Sequence, residues 1–393
     1  MSAFRQIGSV TAMNLRSVPQ RLGSSSVIVI GIAGVVAVIM SVFGLTRSLS
    51  DAVLATGSAD RAIVLRAGAT GELSSTLLVD AVATIKDAPG IARAPDGRPA
   101  ASAEFVTAVN LLRKENGARA GLVVRGVEPT VLAVRPEIQI VAGRVFQPGL
   151  REMLVGRSAL EEFRGVEIGD EVALRDSRWT VVGVFESGGD ANESSLMADA
   201  ATLLSAYQRT AVNSVTVRLA SAAAFDELKT ALTTNPTLSV SVERENDFYR
   251  RESEEAGQIF GLVGVAVGIF MGLGAIFAAL NTMYSAVSAR AREIATLRAI
   301  GFGASGVVVS VLVEALVLSL AGALLGAAIS WLLFNGNTVS LGGGVSSIIF
   351  KMRVTPALLG AGVLLACGVA FIGGLFPAVR AARLPVATAL RAV

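Results

Sequence analysis

Histidine is absent from the 393-residue chain, and cysteine occurs once, at Cys367. Without imidazole there is no His general base, no Ser-His-Asp or Cys-His nucleophile and no His-containing zinc site. One thiol makes neither an intrachain disulfide nor a cysteine cluster for a metal. The lysines, Lys86, Lys114, Lys229 and Lys351, never follow a glycine. The chain therefore lacks a phosphate-cradling Gly-x4-Gly-Lys-Ser/Thr loop and has no Walker-type ATP site of its own. The paired carboxylates Glu161/Glu162, Asp226/Glu227 and Glu254/Glu255 are adjacent in sequence, and adjacent residues on a helix or strand do not face one another. They read as solvated faces rather than acid–base pairs. The expectation is a chain that is not an enzyme, with no catalytic residue, no metal site and no cofactor of its own.

Two features remain that could do work. Glu314 is an ionisable residue inside a long apolar run, where a charge costs on the order of 2.5–3.5 kcal/mol on insertion scales. It reads as a polar contact that changes with conformation, as a proton site, or as a fixed hydrogen bond or ion pair with a nearby arginine, the last being the simplest. The second feature is the stretch from Arg290 to Gly301. Ile294, Leu297 and Ile300 recur at helical spacing, while Arg292, Glu293 and Arg298 take other faces, and Gly301 and Gly303 supply a stop. A short amphipathic helix of this kind lies on a membrane or docks into a groove of a soluble partner.

The elements that position these features are set by composition. The chain is 52% hydrophobic and 17% charged, with a mean hydropathy of +0.62, whereas soluble domains carry about 25% charged residues. A bilayer core about 30 Å thick takes roughly 20 apolar helical residues, and four runs meet that length. They are centred on Val27–Phe43, Ile259–Leu280, Gly306–Phe334 and Leu358–Phe376. With no water to satisfy the backbone in lipid, each must be a helix. The first run is too long, and too far from the start, for a cleaved signal peptide, and reads as a retained anchor. In span two Gly264, Gly268 and Gly272, and in span three Gly322 and Gly326, form stripes at four-residue spacing that let helix backbones approach closely.

Residues 46–258 hold 29 of the 31 acids and 23 of the 34 bases, a net charge of −6 that leaves +9 for the remainder. A basic excess lodged beside apolar runs points to a membrane surface, not nucleic acid. Short segments on one side of the four spans carry nine bases against two on the other, so the positive-inside rule places both termini in the cytoplasm. The expected layout is a cytoplasmic amphipathic helix over 1–25, span one over 26–45, an extracytoplasmic domain over 46–258 and span two over 259–284. A cytoplasmic coupling segment over 285–304, span three over 305–334, a short outer loop over 335–355, span four over 356–378 and a cytoplasmic tail over 379–393 complete it. Within the outer domain, strands are expected at 62–65, 105–112, 122–127, 152–155, 215–219 and 238–242. Helices are expected at 74–86, 158–163 and 222–232, and a hairpin at 171–185 turning through Asp176–Trp179. The charged stretch Glu243–Glu255 reads as a helical link into span two. The fold class is thus an all-α, four-helix transmembrane domain plus an α+β extracytoplasmic domain inserted between spans one and two.

The run "SARAREIATLRAIG" (288–301), followed by Glu314 and "AGALLGAAISW" (321–331), resembles MacB/FtsX-type ABC transporter permeases. So do the ending "FPAVRAARLPVATALRA" (376–392), the start "AMNLRSVPQRLGSSSVIVIGIAGVVAVI" (12–39), and "VLAVRPEIQIVAGRVF" (131–146) with "VEIGDEVALRDSRWTVVGVFE" (166–186) in the outer domain. The turn Gly301–Ser305 is less basic than is common in that family. The resemblance implies a permease subunit served by a separate ATPase that binds ATP and Mg, with a second permease copy as dimer partner, in a cell inner membrane. It implies ATPase contacts at Arg292, Glu293, Ile294, Leu297, Arg298 and Ile300, and at Arg383, Leu384, Pro385, Leu390 and Arg391 near the C-terminus. A periplasmic adaptor or a lipoprotein are further implied partners. The function implied is mechanical work on a cargo at the outer face, either efflux or release of lipoprotein or lipid. The alternative is a signalling complex that activates an outer partner such as a cell-wall hydrolase without transport.

Overall fold

The structure, a computed structural model, describes residues 8, 11–13, 22–300, 303–341 and 348–383. Most of the expected N-terminal amphipathic helix, together with Gly301, Leu384, Pro385, Leu390 and Arg391, lies outside the described residues. The chain divides into two compact units, one of Met1–Thr46, Gln258–Asn337 and Met352–Val393, the other of Arg47–Gly257 and Thr338–Lys351.

The first unit holds the apolar parts of α1 (Leu22–Thr56) and α2 (Glu245–Ala289), the short α3 (Ala291–Ala299), α4 (Ala304–Phe334) and α5 (Pro356–Ala382). All but α3 are long and apolar enough to cross a membrane. The start of α5 shows the local logic. Thr355 caps it, its hydroxyl accepting from the Leu358 N–H, and Pro356 takes the first turn, where a missing N–H costs nothing. The core of this unit is aliphatic, with Ile32, Val36 and Met40 of α1 among residues such as Val311 and Ala370.

The second unit is built on a mixed sheet. Its strands are β1 (Arg61–Arg66), β3 (Ala101–Leu112), β4 (Arg119–Val127), β5 (Gln139–Gly143), β6 (Glu152–Gly156), β7 (Glu171–Leu174), β8 (Ser177–Glu186), β9 (Ser195–Asp199), β11 (Ser214–Arg218) and β12 (Val240–Arg244). The order is β12-β1-β11-β3-β4-β9-β6-β8-β5, with β7 beside β8. Neighbours are antiparallel except β4 with β9 and β6 with β8. Short β2 (Leu77–Leu78) and β10 (Ala211–Val212) pair separately, as do β13 (Thr338–Leu341) and β14 (Ile348–Lys351). Helices Val79–Lys86 and Ala224–Thr233 cover the β1/β11 end, burying Ile85 and Leu228. At the β6/β8 end the core is larger and aromatic, with Trp179 and Phe163 fully buried. Four apolar helices plus this α+β domain bear out the expected fold class.

Several local readings need correction. The helix expected from residue 74 begins at Val79, because Glu72–Ser74 forms one 3-10 turn and Leu77–Leu78 is held in strand pairing by Ala211–Val212. The hairpin turns through Arg175 and Asp176 alone. Arg175 adopts a left-handed φ of 50°, Leu174 pairs with Ser177, and Trp179 is thereby inside β8 and in the core. Glu162 is not on a solvated face, since its side chain is 13% exposed and lies 3.4 Å from Arg113 Nε. The outer loop 335–355 contains the β13/β14 hairpin, which belongs to the second unit. Ser194 Oγ donates to the Ile349 carbonyl and accepts the Ile349 N–H, both at 2.9 Å, and Arg113 Nη2 donates to Ser340 Oγ at 2.8 Å.

The sheet also buries a chain of charges. Arg61 is bonded to Glu245 and lies 2.8 Å from Glu137. Arg135 reaches Glu245 at 2.6 Å and Glu104 at 3.6 Å. Arg125 is bonded to Glu104 and sits 2.8 Å from Glu72. Burial pushes the Glu72 carboxyl up, but the Arg125 guanidinium outweighs it and holds the group at about 2. Glu104 and Glu245 are fully buried and share Arg135, so removing that cation strands two carboxylates. Breaking a buried pair from one side costs about 3–5 kcal/mol. Arg135→Leu should destabilise the outer domain by that order, read from the denaturation midpoint of the purified chain. Since Glu72 is depressed in the folded state, its stabilising share should be complete above pH 4.5 and fade as pH falls toward 2.

Candidate functional site

The residues singled out at the junction of spans two and three come together around α3. The α2 helix stops at Ala289, and Arg290 is the N-cap of α3 with non-helical backbone angles (φ −102°, ψ 8°). Its guanidinium turns inward and donates from Nη1 to Glu314 Oε2 on α4 at 2.8 Å. Both side chains are nearly sequestered, at 5% and 6% exposure. Among the readings open for Glu314, the observed geometry is the ion pair with an arginine. Arg290 itself was not singled out from sequence. Its only signal was its place one residue after a 34-residue uncharged run.

The amphipathic pattern of α3 divides between two surroundings. Ile294 is buried with Met283, Val287, Val307 and Val311 of the flanking helices. Leu297 is half-buried and lines a crevice of about 20 Å3 with Arg290, Glu293 and Glu314. Ile300, which caps the C-terminus of α3, is 69% exposed. Arg292 and Glu293 are exposed and Arg298 is half-buried. Of the apolar stripe, Ile294 serves the unit's own core. The exposed face is Arg292, Glu293, Thr296 and Ile300. Gly303 stands in extended conformation as the N-cap of α4. Arg383 is the C-cap of α5, and Arg380 stacks on Tyr284 of α2 at 5.4 Å, so the last described turn of α5 lies beside the helix that leads into α3.

The glycine stripes differ in what they meet. A methyl group on Gly322 would fall 2.8 Å from the Val29 carbonyl oxygen, and one on Gly326 would strike the backbone of Ala33. Ser330 extends the same stripe and donates to the Ala37 carbonyl at 2.9 Å. Thus α4 and α1 approach backbone to backbone at Gly322 and Gly326, and the Ser330 hydroxyl holds the α1 backbone one turn further on. A methyl group on Gly264 or Gly268 of α2 would meet the side chains of Val42 and Ile39 of α1, and one on Gly272 would meet nothing within 4 Å among the described residues.

Among the described residues no group of three or more His, Cys, Asp or Glu could hold a metal ion. What the arrangement provides is a short helix clamped to two apolar helices by one ion pair and a few aliphatic side chains, with a polar face turned outward. Removing the carboxylate leaves a buried guanidinium, again a cost of about 3–5 kcal/mol. Glu314→Ala should therefore lower the thermal stability of the detergent-solubilised chain, while the double variant Arg290→Met/Glu314→Leu should recover most of the loss. Gly326→Leu should separate α4 from α1 and be at least as damaging in the same assay.

Residues 24–235 match the family described as MacB-like periplasmic core domain, and residues 265–386 match the FtsX-like permease C-terminal family. No curated protein matches the chain. Among solved structures, the periplasmic region of MacB from Actinobacillus actinomycetemcomitans is 13% identical with a TM-score of 0.37, over 50% of this chain and 92% of that one. The extracellular domain of the noncanonic ABC-type transporter YknZ from Gram-positive bacteria is 16% identical with a TM-score of 0.36, over 47% and 99%. A domain of a permease protein from Porphyromonas gingivalis is 14% identical with a TM-score of 0.30, over 47% and 87%.

Proposed function

We propose the following role for a chain that belongs to the MacB/FtsX-type family of ABC permeases. It is a multi-pass inner-membrane permease subunit, and it couples ATP hydrolysis in a separate cytoplasmic ATPase to mechanical work by the outer domain. Two permease copies would engage two ATPase subunits. When the ATPases close, each α3 would be drawn along, and α1 and α2 would carry the displacement outward. Cargo would be gripped, pushed or released at the outer face. Because a ligand shifts a two-state unit only by its differential affinity for the two states, cargo must bind the outer domain more tightly in one state than in the other.

The observation that carries this reading is the fastening of α3. Ile294 in the core and Arg290 on Glu314 give a displacement of α3 a rigid path into α2 and α4, while Arg292, Glu293, Thr296 and Ile300 are exposed. The nine-to-two excess of basic residues supports a cytoplasmic position for α3 and both termini.

Ile300 is the discriminating residue, since it adds nothing to the unit's own core. Central apolar anchors of an interface are worth about 2 kcal/mol or more. Ile300→Asp should reduce ATPase co-purification at least tenfold without lowering thermal stability. Unchanged association would remove α3 from the ATPase interface. In the same cells, a cysteine at Glu227 should react with an impermeant maleimide from outside and one at Ile300 only after permeabilisation. The reverse pattern would invert the topology.

A further inference from the structure

The outer domain contains a cavity of about 370 Å3, within the range of about 300–1,000 Å3 typical of small-molecule sites. Its lining includes the apolar Val53, Leu73, Val106, Ala108 and Ile348. It also includes the polar Glu72, Arg125, Tyr249, Glu252 and Glu255. The cation on this wall is already committed, since Arg125 is bonded to both Glu72 and Glu104. The lining thus carries a surplus of negative charge beside an apolar surface.

Glu252 is the group this surplus leaves open. Among the described residues it makes no hydrogen bond and no ion pair within 4 Å, although its neighbour Arg251 makes both. Arg251 is turned away, donating to the Thr70 carbonyl at 2.9 Å and lying 3.1 Å from Glu243. Gly71 gives the carboxyl its room, as a methyl group there would lie 2.8 Å from Glu252 Oε1. Burial pushes the Glu252 carboxyl up to about 7, the nearby Glu72 charge adds to this, and Arg251 and Arg125 offset part of it. A carboxylate with this placement gains most from an incoming positive charge.

We infer that this cavity binds an amphipathic organic cation, its charged head against Glu252 and its apolar body along Val106 and Ile348. A bare metal ion is a poor occupant, since the apolar wall offers it no ligands and no metal-binding cluster occurs among the described residues. The inference rests on the reading of the outer domain as the cargo-handling head and narrows its cargo to lipophilic cations.

The test uses the full chain in lipid nanodiscs, with empty nanodiscs as background, and follows fluorescence polarisation. Rhodamine 6G serves as a fixed cation and Nile red as an uncharged apolar probe. Rhodamine 6G should bind saturably, and Glu252→Gln should weaken it at least tenfold while leaving Nile red unchanged. Wild-type affinity for rhodamine 6G should rise several-fold from pH 6 to pH 8 as Glu252 ionises among Glu72, Glu255, Tyr249, Arg125 and Arg251, and the Gln variant should lose that rise. Ala108→Trp, which fills the cavity without touching a charge, should abolish binding of the cation. Absence of saturable rhodamine binding, or binding indifferent to both substitutions, overturns the inference. Ile300→Asp should leave the dye affinity intact, so a failure of ATPase coupling and a failure of cation binding are read separately.

Discussion

A carboxylate inside an apolar helix bundle has to be answered by a cation, and here the answer is Arg290. Neither group is affordable alone, because desolvating a charge costs several kcal/mol. Glu314 lies on α4, and Arg290 stands where α2 breaks and α3 begins. The ion pair therefore fixes more than two side chains. It sets where the second long helix ends and how the short helix leaves it, and it ties that junction to a third element. If the junction moves, either the pair travels as a unit or two desolvated charges separate. That penalty makes α3 a stiff attachment point.

The same rule shapes the outer domain with more participants. Arg61, Glu245, Arg135, Glu104, Arg125 and Glu72 alternate in sign through the interior. They come from β1, β3, β4, the start of α2, the segment after β4 and the 3-10 turn at Glu72. Each guanidinium answers two carboxylates, so loss of one cation unsettles strands that are distant in sequence. The first residue of α2, Glu245, is held by two of these arginines. The stretch 243–255 was readable from sequence as a charged helical link, but Glu243 and Arg244 belong to β12; the helix starts at Glu245 and is anchored there by buried ion pairs. Arg251 and Glu252 follow within two turns, the first engaged and the second open to the cavity.

Close helix approach is the third constraint, and it separates stripes that look alike on paper. Gly322, Gly326 and Ser330 put α4 directly on the backbone of α1. Gly264 and Gly268 have the same spacing but face longer side chains, and a methyl group on Gly272 would meet nothing within 4 Å among the described residues. Spacing of small residues permits contact, and it is the opposing helix that decides whether contact is made.

The sequence by itself determined what local physics can decide. Four runs of about 20 apolar residues must be membrane helices because lipid cannot hydrogen-bond a bare backbone, and valine-rich strands such as 122–127 declare themselves within their own few residues. The lack of histidine and of a phosphate loop in these residues excluded imidazole-based catalysis and a Walker-type ATP site, and the polar and apolar residues of 290–300 were legible as a short amphipathic helix. Only the tertiary structure decided which partner answers Glu314 from 24 residues away, that Ile294 turns inward while Ile300 turns out, and that the segment between α4 and α5 pairs as a hairpin on Ser194. It also placed Glu104, Arg125 and Arg135 inside the sheet, where a one-dimensional reading puts charges on the surface. The reason is common to all of these. Burial of a charge or a glycine depends on what a distant segment brings to it, and that is settled only when the chain has closed on itself.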